Sequence, residues 1–115
     1  MELQNTYRSN DRESWRAWLA ENHTSTKFVW VLFTKKHTGE PCMSYEESVE
    51  EALCFGWIDS TVKRIDDRMY ARKFTPRTDY ENWSELKKRR VEKCIREGRM
   101  TAAGLAKIGQ SVGLK

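Results

Sequence analysis

The sequence predicts an α+β fold, a small and mainly antiparallel sheet packed with helices in the order α-β-α-β-β-α-α. Three observations carry this reading. Polar N-cap signatures precede three stretches whose apolar residues recur at helical spacing. Residues 27–35, "KFVWVLFTK", are rich in β-branched and aromatic side chains, as strands are. Two short strand-like runs, 57–66 and 69–76, flank Asp66-Asp67-Arg68 like the arms of a hairpin.

The elements follow in order. Asn10-Asp11-Arg12-Glu13 has the form of a capping box, and Trp15, Trp18, Leu19 and Asn22 then fall on one face, predicting a helix over about 10–22. The strand "FVWVLF" has no polar alternation, so both its faces should be covered, by helices or by a second copy in a homodimer. "KKHTGEPCM" is a loop broken by Gly39 and Pro41. Ser44-Tyr45-Glu46-Glu47 is a second capping box, with Tyr45, Val49, Ala52 and Leu53 as the apolar stripe of its helix. Gly56 suits the left-handed position that closes a helix, and Trp57 and Ile58 then start a strand. In the second hairpin strand Tyr70, Arg72 and Phe74 share one face and Met69, Ala71 and Lys73 the other, until Pro76 ends the pairing. Asn82-Trp83-Ser84-Glu85 is a third capping box before a helix that runs to Gly98, and Thr101 caps a last short helix, "AAGLAKIG". Helix and strand periodicities converge on Trp18, Trp30, Val31, Leu53, Phe55 and Ile58 as core.

A single domain, 1–115, suits a chain of 115 residues. Cys42, Cys54 and Cys94 are odd in number and widely spaced, with no zinc-like pattern beside His23 or His37, so neither a metal nor another cofactor is expected. The polar N-terminus has no apolar signal region and the longest apolar run is too short to span a bilayer, which predicts a cytoplasmic protein. Charge is divided unevenly. Residues 1–67 hold eight Lys/Arg against twelve Asp/Glu, a balance of −4, whereas residues 68–115 hold thirteen against five, a balance of +8. Such a split suits an anionic partner for the second half, or a surface that pairs with itself.

Four stretches, "SYEESVEEALCFGWIDSTVKRID", "YARKFTPR", "NWSELKKRRVEKCIREGRM" and "TAAGLAKIG", stand in the order of similar motifs in another family. The chain resembles the YdeI/OmpD-associated, or bacteriocin-protection, family of the YjbR/CyaY-like superfamily. That resemblance implies an α+β domain and a stress or bacteriocin-protection role, with no established catalytic residue to carry over.

No glycine-rich phosphate loop, GxSxG elbow or HExxH motif is present, so a non-enzyme is favoured. Cys54, in the last turn of its helix, reads as a small core hydrophobe, since the negative end of the helix dipole disfavours a thiolate. The residues expected to bind a small anionic molecule or protein partner are Trp57, Asp59, Lys63, Tyr70, Arg72, Phe74, Arg77 and Trp83. Arginine clamps an anion while aromatic walls exclude water. Trp57, Asp59, Thr61 and Lys63 would share one strand face, and in one of two hairpin registers Asp59 meets Arg72. The alternative is a nucleic-acid-binding module on the basic 84–99 helix, through Lys87, Lys88, Arg90 and Lys93.

Overall fold

The structure, a computed structural model, describes residues 4–8, 11–40, 42–76 and 85–108, with only the backbone of Lys107 and Ile108. The expected α+β class is what it shows. Strand β1 (Thr6–Arg8) precedes helix α1 (Arg12–Asn22), strand β2 (Val29–Thr34) and a 3-10 turn at Lys36–Thr38. Helix α2 (Tyr45–Cys54), the hairpin of β3 (Trp57–Arg64) and β4 (Met69–Pro76), and helices α3 (Glu85–Arg96) and α4 (Ala102–Ile108) complete it. The sheet runs β1-β2-β4-β3, parallel only between β1 and β2. β1 and the 3-10 turn are additions to the sequence reading.

Local chemistry explains most boundaries. α1 is capped by Asp11, whose carboxylate accepts from the Ser14 backbone N–H; the expected cap, Asn10, lies outside the described residues. The Ser44–Glu47 capping box is present in both directions. Gly56 and Gly98 take positive φ angles of 78° and 72°, ending α2 and α3 as expected. Thr101 caps α4 by accepting from the Gly104 N–H at 3.1 Å. Of the capping box expected at Asn82–Glu85, Glu85 begins α3 and residues 82–84 lie outside the described residues.

One face of the sheet carries the core. Val29, Val31 and Phe33 of β2 and Phe74 of β4 join Trp15 and Leu19 of α1 and Ala52 and Cys54 of α2 in one buried cluster. Val31, Leu53 and Phe55 are buried as expected, whereas Trp18, Trp30 and Ile58 are half-buried. Trp18 stacks on Trp15 at 5.5 Å and meets Trp57 edge-on at 6.0 Å, at the margin of the core. Trp30 points to the other face with Leu32, where the Lys73 ammonium lies 5.0 Å from the Phe28 ring and 5.9 Å from Trp30. α3 packs along α2, with Val91 closing a second cluster with Val49 and Leu53. Among the described residues no helix is long and apolar enough to cross a membrane.

Candidate ligand-binding site

The hairpin register decides which predicted site residues meet. Asp59 stands opposite Phe74, so Arg72 is its diagonal neighbour on the same face. The register then shifts between Asp59 and Thr61. This bulge at Ser60 sends Thr61 and Lys63 to the face of Lys73 and Ala71. Lys63 therefore does not share the face of Asp59, contrary to the unbroken alternation expected of the strand. Trp57 and Phe74 are fully buried core residues, the latter edge-on to Trp15 at 5.1 Å, so neither forms a pocket wall. Arg77 and Trp83 lie outside the described residues.

What remains is a compact cationic and aromatic group. The Arg72 guanidinium is 3.7 Å from Asp59, the two side chains being 22% and 15% exposed. It lies over the Tyr45 ring at 4.2 Å and the Tyr70 ring at 5.7 Å. Tyr45, which sequence reasoning assigned only to the apolar stripe of α2, is the member it missed. As the first residue after the Ser44 cap, Tyr45 projects towards the hairpin and donates its hydroxyl to Asp59 at 3.2 Å. Burial, and then the charge of Asp59, holds its phenol above the usual tyrosine range, so it stays a neutral donor at pH 7. The Arg90 guanidinium lies 5.5 Å from the same ring. No sequence signal distinguishes a helix-starting tyrosine that packs from one that organises two arginines.

Of this group, Tyr45 and Tyr70 line a cleft of about 510 Å³ between the end of β2, the 3-10 turn and the start of α2, and Arg72 lies over both rings. Phe33, Lys35, Lys36, Cys42, Tyr45 and Tyr70 line it, with Phe33 and Tyr70 stacked at 5.3 Å. Its two acids are already engaged. Glu40 is bonded by Arg68 at 3.1 Å and Arg8 at 3.5 Å, and Glu46 by Arg90. The hydrogen bonds from Arg68 and from Arg90 hold these carboxyls below the usual range. Neither Lys35 nor Lys36 is within ion-pair distance of a described carboxylate. The Thr34 hydroxyl and the Arg72 Nε are buried without a hydrogen-bond partner among the described residues. A larger opening of about 760 Å³, between residues 23–27, Pro76 and α4, has among the described residues only His23 and Lys27 as ionisable groups. His23 serves as the C-cap of α1, its Nδ1 2.8 Å from the Leu19 carbonyl. Among the described residues no group of His, Cys, Asp or Glu is placed to hold a metal.

In the basic helix of the alternative reading Arg90 faces inward, whereas Arg89 and Arg96 are exposed and Lys87, Lys88 and Lys93 are half-buried. Arg90 is buried and bonded to Glu46, Lys93 donates to Glu50 at 2.9 Å, and Lys88 lies 3.8 Å from Glu85. The sequence charge split thus appears in the fold as basic α3 lying on acidic α2.

Fold and site together define a small α+β domain with a tyrosine-lined cleft beside Arg72. The chain belongs to the family described as Domain of unknown function (DUF8412), whose sequence model matches residues 7–107. No curated protein and no solved structure matches it. Membership of this family corrects the expected kinship with the YdeI/OmpD-associated and YjbR/CyaY-like proteins. The motifs that suggested that kinship include a capping box and a glycine helix stop, features that helix ends share across unrelated folds.

Proposed function

We propose that the chain is a binding protein that takes a small anionic, partly planar ligand in the cleft between β2, β4 and α2. The observation that carries this reading is Arg72. A guanidinium has five N–H donors, and among the described residues this one meets a single carboxylate beyond hydrogen-bond distance while stacking on two tyrosines that line the cleft. Such a group is positioned by its rings and left with donors for an incoming carboxylate or phosphate. Lys35 and Lys36 add positive charge, and the cleft volume suits a small ligand. The pairing of Arg90 and Lys93 with α2 acids favours the cleft over α3 as the anion site. The three free thiols support a reducing compartment such as the cytoplasm.

A thermal-shift screen of aromatic carboxylates and phosphomonoesters tests the proposal. At least one class should raise the melting temperature, and Arg72→Met should weaken its binding by tenfold or more, on the order of one charge-assisted hydrogen bond. No stabilisation of the native chain, or equal stabilisation of Arg72→Met, would overturn it.

A further inference from the structure

The two cysteines outside the cleft share one place in the core. Cys54 ends α2 and Cys94 lies in the last turns of α3, both buried in the same cluster. The Cys94 thiol donates to the Glu50 carbonyl at 3.3 Å, one helical turn before Cys54. A single tripeptide ties their backbones: the Arg99 N–H bonds the Cys94 carbonyl at 2.9 Å, and the Thr101 N–H bonds the Cys54 carbonyl at 3.1 Å. We propose that Cys54 and Cys94 form a dithiol couple which hydrogen peroxide converts to an intrachain disulfide, joining the end of α2 to α3.

The two sulfurs are not equivalent, and the difference assigns their roles. The neighbouring Cys94 thiol, and after it the Arg16 guanidinium, hold the Cys54 thiol below its usual range, although burial and Glu51 oppose this. The Cys94 thiol is pushed up by its neighbour Cys54 and by burial. The helix-end dipole, which alone disfavours a Cys54 thiolate, is thus outweighed by its neighbours. The Cys54 thiolate attacks one peroxide oxygen; the O–O bond breaks, a sulfenic acid forms, and the departing hydroxide takes up a proton to leave as water. The Cys94 sulfur then attacks the Cys54 sulfur; the S–S bond forms, the S–O bond breaks, and the hydroxide leaves with the Cys94 proton as a second water. The sulfurs lose two electrons and the peroxide gains them. Both thiols are sealed in the native fold, so peroxide reaches them by local opening. α4, a helix of seven residues lying against the Cys54 carbonyl, is too short to be stable unaided and is the element whose opening exposes it.

The test treats the intact chain with hydrogen peroxide, alkylates remaining thiols after unfolding, and maps the peptides by mass spectrometry. A Cys54–Cys94 linked peptide with alkylated Cys42 is expected, reversed by dithiothreitol. The oxidised chain should melt roughly 10 °C higher, as a loop-closing bond predicts. Cys94→Ala should stop at a Cys54 sulfenic acid that dimedone traps, while Cys42→Ala should still form the link. Recovery of both Cys54 and Cys94 alkylated, a link through Cys42, or over-oxidation of native Cys54 without a disulfide would each overturn the proposal. The native-chain map decides the matter even where a variant does not fold.

Discussion

Tyr45 joins α2 to the hairpin through both parts of its side chain. The ring lies under Arg72, and the hydroxyl bonds Asp59, so truncating one part isolates the other. Tyr45→Phe keeps the ring and removes a donor from a carboxylate that is largely screened from water. Unfolding by urea should show a loss of about 1 kcal/mol, the usual contribution of such a bond. A change of only a few tenths would mean that Arg72 alone holds Asp59. Side chains such as these were the least legible part of the sequence. Asp59 and Arg72 were paired in one of two admissible registers, but the place of Tyr45 depends on how α2 crosses the hairpin. Trp57 and Phe74 carried the same aromatic signal as pocket walls, and the fold spends them on the core.

Elements whose limits are set by their own residues were read well. The Ser44 cap, the left-handed Gly56 and Gly98, and the β3–β4 turn all arise from backbone demands within a few positions. What failed to show was set by distant partners. β1 is three residues whose strand character comes from lying parallel to β2, and the Ser60 bulge has no composition signal of its own. Gly104 belongs to the same class of tertiary constraint. A glycine inside a helix ordinarily invites replacement by alanine, which stabilises by roughly 1 kcal/mol. Here a Cβ would run into the Cys54 carbonyl oxygen and the Met100 sulfur, and the first is rigid backbone. Gly104→Ala should therefore reverse the usual sign and destabilise by about 1–3 kcal/mol in denaturant melts, as overpacking does. A gain in stability would show that α4 is free to shift away from α2.

At the scale of the whole molecule, charge pairs hold together parts of the chain far apart in sequence. Arg12, Arg16 and Arg99 converge on the fully buried Glu51, Lys93 bonds Glu50, and Arg90 bonds Glu46, so α1, α3 and the turn before α4 all meet α2 through ions. The exposed carboxyls add a titratable margin. Glu46 is held below its ordinary range chiefly by the hydrogen bond from Arg90, Glu40 by that from Arg68, and Asp11 and Asp66 by backbone N–H groups. For a carboxyl whose folded pKa is depressed, the stabilisation is present above the unfolded value and disappears as pH falls through the folded one. Lys93 is raised by Glu50, and the Tyr45 phenol by burial, so their contributions are present below the unfolded values and are lost as pH rises past them. Ordinary values are about 4 for the carboxyls and about 10 for the phenol and ammonium. The melting temperature should consequently be level between about pH 5 and 9, fall below about pH 4, and fall again above about pH 10. Glu46→Gln should lower the plateau and shrink the acid-side drop, because the bond to Arg90 no longer depends on a proton. A melting temperature that rose on acidification below pH 4, or an acid limb unaltered by Glu46→Gln, would show that the α2–α3 ion pairs do not bear on stability.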